Sequence, residues 1–285
     1  MTITIRDLQG FKAEGKRFAM LTAYDCPTAQ IIDEAGVPVI LVGDSIANNV
    51  LGYPDTLPVT MDEMLHHTRA VRRGVTRALV VGDLPFMSYQ VSVEDGMRNA
   101  GRFLKEAGAN AVKLEGPEVE LTSRLSAAGI PVMAHVGLTP QSVNQMGGYR
   151  VQGKTEDAAD RIEHECVALQ RAGAFAIVLE GIPAELGRHL TGLLAIPTIG
   201  IGAGPHCDGQ VLVFHDMIGL NARTPKFVKQ YAQLRTEIGR AVGEFISDVQ
   251  TGAFPDEAHS YGGGRVYGGG AADQPAAPGP VEVSS

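Results

Sequence analysis

The chain has 285 residues, 44% of them hydrophobic and 20% charged, with a formal net charge of −8. That size and composition place it among globular proteins of one large domain or two small ones. The acidic balance argues against a nucleic-acid partner, and the chain shows neither an apolar run of membrane-spanning length nor the charged-then-apolar start of a secretion signal.

In chain order, strand-like runs begin near residues 18, 39, 78, 110, 131, 175, 196 and 211, from "FAMLT" (18–22) to "VLVF" (211–214). Four of them follow an Ala-Gly junction: "EAGVPVILVGD" (34–44), "EAGANAVKLE" (106–115), "AAGIPVMAH" (127–135) and "RAGAFAIVLE" (171–180). Glycine there suits the left-handed residue that closes a helix. The apolar run that follows suits a parallel strand covered on both faces. Helical patterns lie between the runs. "TMDEMLHHTRAVRR" opens on a capping box from Thr60 to Glu63 and carries Met61, Met64, Leu65 and Val71 on one stripe. "SVEDGMRNAGRFLKEAG" and "EDAADRIEHECVALQRAG" behave likewise, the latter with Cys166 on its apolar stripe. A last helix is expected over 224–250, with Phe227, Tyr231, Leu234, Ile238, Val242 and Phe245 on one face, suited to packing on a barrel or on a neighbouring subunit.

Eight strands alternating with helices predict an α/β fold, a (β/α)₈ TIM barrel, as a single catalytic domain over residues 1–254. A doubly wound open sheet has the same periodicity and is the alternative. Residues 255–285 are rich in Gly, Pro and Ala with almost no large aliphatic side chains, the composition of a disordered tail. Cys26, Cys166 and Cys207 are odd in number and widely spaced. They fit reduced thiols in a cytoplasmic protein, not a disulfide frame or a zinc site.

"NAVKLEG" (110–116) carries the functional question. In a strand Val112 and Leu114 share one face, Lys113 and Glu115 the other. If both faces are covered, an ammonium and a carboxylate are buried, which is rare unless they are paired, metal-bound or catalytic. Other strands end in the same way: Asp44 and Ser45 after the second, Asp83 at the third, His135 at the fifth and Glu180 at the sixth. In parallel α/β folds these ends form one mouth. Asp44, Asp83 and Glu115 are hard oxygen donors that favour Mg²⁺ or Mn²⁺. Lys113 has three readings: an ion pair with Glu115, a contact for an anionic substrate, or a Schiff-base nucleophile. A lone histidine would read as a core residue bonded to backbone; among the other strand ends, His135 reads as a substrate contact. Glu180 ends the apolar "FAIVLE", where partial desolvation would raise a carboxyl's pKa toward that of a general base. "IGIGAGP" (199–205) reads as a tight strand-to-loop turn, and the neighbours in "HCD" (206–208) point apart in an extended loop.

With these residues the sequence resembles the ketopantoate hydroxymethyltransferase family. The likeness runs from about Thr22 to Phe254 through "TAYDCPTA", "LVGDSIANNVLGYPDTLPVTMDEM", "GDLPFMSY", "VKLEG", "PVMAHVGLTPQS", "GGYRVQG", "LEGIP", "TIGIGAG" and "GQVLVFHDMIGL". The resemblance implies a metal-dependent barrel enzyme of pantothenate biosynthesis that moves a one-carbon unit from 5,10-methylenetetrahydrofolate to 3-methyl-2-oxobutanoate, through a Mg²⁺-stabilised enolate. It implies Asp44 and Asp83 as ligands of one Mg²⁺ per subunit, with Glu115 at or near the metal. Ser45, Lys113 and His135, with Asp44 and Asp83, would contact the keto acid, and Glu180 would be the proton acceptor. It also implies a homo-oligomer, a decamer of barrels, and a lid role for the loop "SIANNVLGYPDTLP".

Overall fold

The computed structural model describes residues 2–261. Its eight strands are β1 (Phe18–Thr22), β2 (Val39–Val42), β3 (Leu79–Asp83), β4 (Ala111–Glu115), β5 (Val132–Gly137), β6 (Ala176–Glu180), β7 (Thr198–Ile201) and β8 (Gly209–Leu212). They pair in chain order, all parallel, and β8 closes on β1 with Met20 opposite Val211. Closure excludes the doubly wound sheet: this is the expected (β/α)₈ barrel. Among the described residues the barrel belongs to a compact unit that runs to Arg235, and those from Thr236 form a second unit.

Period two sorts the side chains. Met20, Val39, Leu41, Leu79, Val81, Ala111, Met133, Ala176, Val178 and Ile199 share one buried cluster inside the barrel. Their neighbours Ile40, Val42, Val80, Val112 and Leu114 belong to a different cluster, with Phe103, Leu121 and Leu125 of the surrounding helices. The helix Ile5–Ala13, which carries no clear signal in the sequence, supplies Leu8 to the inner cluster. It starts at a capping box in which Thr4 and Asp7 satisfy each other's backbone N–H. The Thr60–Glu63 box is likewise present, opening the helix Met61–Gly74. At the four Ala-Gly junctions Gly36, Gly108, Gly129 and Gly173 all have positive φ, between 73° and 101°, as a helix-closing glycine should.

Three expected elements shift. β7 begins at Thr198, not near 196, after Pro197, which has no N–H for a ladder. The last strand spans Gly209–Leu212, not 211–214, because the Phe214 N–H turns to the Thr22 hydroxyl at 3.0 Å and starts a short helix. Gly209 joins the strand by pairing with Phe18 and Ile199, and a side chain there would meet the Phe18 ring, 2.6 Å from a Cβ. The last helix spans Leu234–Thr251 and omits Phe227 and Tyr231. The N–H groups of Tyr231, Leu234 and Arg235 bond to the carbonyls of Met217, Ile218 and Gly219, so residues 231–233 run alongside that loop before the helix begins. In the second unit Phe254 lies edge-on to Phe245, with ring centres 5.7 Å apart, and a single 3₁₀ turn spans Glu257–His259. Most of the tail, residues 262–285, lies outside the described residues.

Candidate active site

The inward face of β4 continues from Ala111 through Lys113 to Glu115, and both charged side chains are almost wholly buried. The registers Asp83 opposite Lys113 and Glu115 opposite His135 bring three strand ends together. Lys113 Nζ lies 2.7 and 2.8 Å from the two oxygens of Asp83 and 3.6 Å from Glu115 Oε1, so its closer partner is Asp83. The local pair with Glu115 is only part of the arrangement. Burial alone would lower the pKa of Lys113; the carboxylates of Asp83, Glu115 and Asp44 outweigh it and raise it, so the amine stays charged.

His135 stands between two acids, Nδ1 3.4 Å from Glu115 Oε1 and Nε2 3.2 Å from Glu180 Oε2. Neither ring nitrogen is aligned for a hydrogen bond. Burial and Lys113 push its pKa down, but the two carboxylates prevail and lift it to about 9. Glu180 is the least buried of these acids, its side chain 15% exposed. Ser45 is half-buried and bonds to the Tyr24 hydroxyl at 2.8 Å.

Asp44 lies 4% exposed just beyond β2. Its N–H donates to Asp83 Oδ2 at 3.2 Å, and its own carboxylate accepts from Gln141 Nε2 at 3.0 Å. Burial raises its pKa well above the ordinary range, and Asp83 and Glu115 raise it further. Asp44, Asp83, Glu115 and Glu180 thus bring four carboxylates to two cationic groups, Lys113 and His135, and the raised pKa values of Asp44 and Asp83 reflect burial and that crowding, which a divalent cation would offset. Among the described residues no three His, Cys, Asp or Glu side chains enclose an ion unaided. Asp83 faces Lys113, and Glu115 lies between Gln141, Lys113 and His135. Mg²⁺ commonly takes one or two carboxylates and fills its remaining positions with water and substrate oxygens. The all-oxygen pair Asp44 and Asp83 fits that habit.

All the expected residues, Asp44, Ser45, Asp83, Lys113, Glu115, His135 and Glu180, line one cavity of about 1250 Å³. Gln141, Tyr89 and Tyr24 are the participants that the sequence left unmarked. Gln141 N–H donates to Glu115 Oε2 at 3.0 Å, its Nε2 also donates to Leu84 O, and its Oε1 accepts from Tyr89 Oη at 2.7 Å. The turn after β7 borders the same cavity, where Gly202 and Gly204 have positive φ. "HCD" holds no such site: Cys207 is buried, His206 exposed, and Asp208 bonds to Lys12 and Thr198.

A closed parallel barrel whose strand ends gather acids, a lysine and a histidine around one cavity is the architecture of a (β/α)₈ enzyme. The family model described as ketopantoate hydroxymethyltransferase matches residues 2–257, and the chain belongs to that family. Its relatives include 3-methyl-2-oxobutanoate hydroxymethyltransferase of Syntrophus aciditrophicus, 57% identical over 262 residues, covering 91% of this chain and 96% of the relative. The enzyme of the same name from a Cyanothece species is 59% identical over 258 residues, covering 90% and 99%. Solved structures of similar fold include phosphonopyruvate hydrolase in complex with oxalate and Mg²⁺, with TM-score 0.61, 15% identity and coverage of 91% of this chain and 93% of that one. Another is 2,3-dimethylmalate lyase, with TM-score 0.57, 17% identity and coverage of 90% of each chain. At that identity the likeness is one of fold alone.

Proposed function

We propose that the protein transfers a hydroxymethyl group from 5,10-methylenetetrahydrofolate to 3-methyl-2-oxobutanoate, with water as the other reactant, giving 2-dehydropantoate and tetrahydrofolate. Glu180 is the base. The observation that carries this reading is the chain of buried groups Asp83, Lys113, Glu115, His135 and Glu180 around one cavity in a member of this family.

Asp44 and Asp83 would hold Mg²⁺, with Glu115 beside them. When bound, the ion supplies a Lewis acid that polarises the 2-oxo group and makes the C3 proton more acidic. The remaining roles fall to the chain. Lys113, charged and fixed on Asp83, offers a positive centre to the keto-acid carboxylate, and Ser45 adds a hydroxyl. His135, protonated at neutral pH, sets a positive charge against Glu180 and orients it. Glu180, the acid with most access to the cavity, takes the C3 proton, and C3 then attacks the one-carbon unit. The loop segment with Asn48, Asn49 and Thr56 walls the cavity and limits water. A Schiff base at Lys113 would need a neutral amine, which three neighbouring carboxylates disfavour.

The test separates proton transfer from carbon transfer. Wild-type protein with Mg²⁺ is expected to exchange the C3 proton of 3-methyl-2-oxobutanoate into D₂O, followed by NMR without any folate, and to stop on addition of EDTA. Glu180→Gln keeps the shape but cannot accept the proton, so exchange and turnover should fall by about 10² to 10⁴ while keto-acid binding holds. Wild-type exchange by Glu180→Gln would remove Glu180 as the base.

A further inference from the structure

Ser45 follows Asp44 directly and precedes a four-residue helix, Ile46–Asn49. A serine in that place commonly caps the helix with its hydroxyl. This one does not: its hydroxyl bonds to the Tyr24 hydroxyl at 2.8 Å, and the residue lines the cavity. A helix of about one turn has too few bonds to hold itself in place. Ile46 and Ala47 are wholly buried and fix one side of it. Asn49 acts from the other end by turning back, its Nδ2 donating to the Ser45 carbonyl at 2.7 Å.

Asn49 is held in turn. Its Oδ1 accepts from Asn221 Nδ2 at 2.6 Å, and the same Nδ2 donates to Asp216 Oδ1 at 2.7 Å. The partners fix which way each amide points. The Ser45 carbonyl and the Asp216 carboxylate only accept, so both asparagines turn their NH₂ groups toward them. That leaves the Asn49 carbonyl oxygen facing a second N–H of Asn221, and the chain Asp216–Asn221–Asn49–Ser45 closes with every donor matched. Asp216 is 8% exposed, and Asn221 is its one side-chain partner among the described residues. A buried carboxylate with a single donor is left costly when that donor goes. Its own position is set by the barrel, because the short helix that carries it starts with the Phe214 N–H on Thr22 of β1. Among the described residues no other hydrogen bond joins the segment after β8 to the segment after β2.

We propose that Asn221 is a positioning residue for keto-acid binding: by bridging Asp216 to Asn49 it fixes the segment after β2 so that the Ser45 hydroxyl meets the keto-acid carboxylate. Asn221 acts through Ser45 and is not asked to touch a reacting atom. The inference rests on the reading of Ser45 as a keto-acid contact and deepens it, since it names what holds that contact in place.

Calorimetric titration of the full chain with 3-methyl-2-oxobutanoate at saturating Mg²⁺ tests it, alongside exchange of the C3 proton into D₂O. Asn221→Ala should weaken keto-acid affinity about threefold to tenfold, the scale of one net hydrogen bond. Its exchange rate at saturating keto acid should stay within about twofold of wild type, because His135 and Glu180 stand on β5 and β6 and make no bond to this chain of amides. That retained rate also reports a folded protein. In a Ser45→Ala background, Asn221→Ala should have no further effect on affinity, whereas a role merely in the wall of the cavity would add in full. Wild-type affinity in Asn221→Ala, a saturated exchange rate that falls with the affinity, or additive losses in the double variant overturns the inference and leaves the Ser45 contact standing. Wild-type affinity in Ser45→Ala removes the contact itself, and the inference with it.

Discussion

Gln141 ties Asp44 to Glu115, its side chain on one and its backbone on the other, and is itself held by Tyr89. An amide suits the position because it donates to a carboxylate and accepts from a phenol at once. Gln141→Ala should leave Tyr89 without that acceptor and free Asp44 to turn. Mg²⁺ affinity by calorimetry is expected to fall roughly 10- to 100-fold, as when other partners that orient a metal ligand are lost. Unchanged affinity would show that Asp44 needs no such support. Lys113 and Glu115 could be read from the sequence because charges break an otherwise apolar strand. Gln141 could not. It follows "LTP" after β5, where a polar residue is unremarkable until its burial, at 5% exposure, is known. The sequence also left open whether Lys113 pairs with Glu115 or serves another group, since the dominance of Asp83 depends on the register between β3 and β4.

The helix Cys26–Glu34 is fastened to the entry of β3 by one carboxylate. Asp33 accepts the N–H groups of Thr76, Arg77 and Ala78 and the Thr76 hydroxyl, at 2.7 to 3.2 Å. Burial would raise its pKa, but these donors hold it below the ordinary range. The folded-state value therefore lies below the unfolded one. The stabilisation is complete above the unfolded value of about 3.9 and is lost as the pH falls from there toward the folded value. Asp33→Asn should cost about 1.5–3 kcal/mol at neutral pH, the scale of hydrogen bonds to a charged group. Its melting midpoint should also fall less steeply than wild type below pH about 4. Parallel acid profiles for the two proteins would contradict this. Nothing in "IIDEAG" separates Asp33 from a solvated helix acid, because its partners lie more than forty residues on. The Ala-Gly junctions beside it were legible, since their conformation is set locally. The segment 224–233 is not the helix its apolar spacing predicts: Tyr231 N–H bonds to the Met217 carbonyl and the next residues on, Leu234 and Arg235, to those of Ile218 and Gly219, contacts that apolar spacing cannot show.

At the scale of the molecule, strand count and alternation predict a barrel but not its closure, which depends on β8 meeting β1 after nearly two hundred residues. The assembly that the family likeness implies has its own local sign. Ile238, Val242, Phe245, Ile246 and Val249 recur at helical spacing on Leu234–Thr251 and are each 49 to 56% exposed, and that helix has no buried residue. An apolar stripe of this length suits an association surface, and we propose that it is one. The expected occupant is a second copy of the chain, because closed symmetric assemblies join like surfaces and most soluble oligomers are of this kind. Light scattering at micromolar concentration should therefore return a multiple of 30.1 kDa. The double variant Ile238→Glu, Phe245→Glu places two charges in the stripe, where leaving them unpaired at an apolar contact is costly. It should shift the mass toward the monomer while circular dichroism still reports a folded protein, since both side chains are exposed among the described residues. A wild-type mass of one chain, or a variant that stays assembled, would assign the stripe to some other contact.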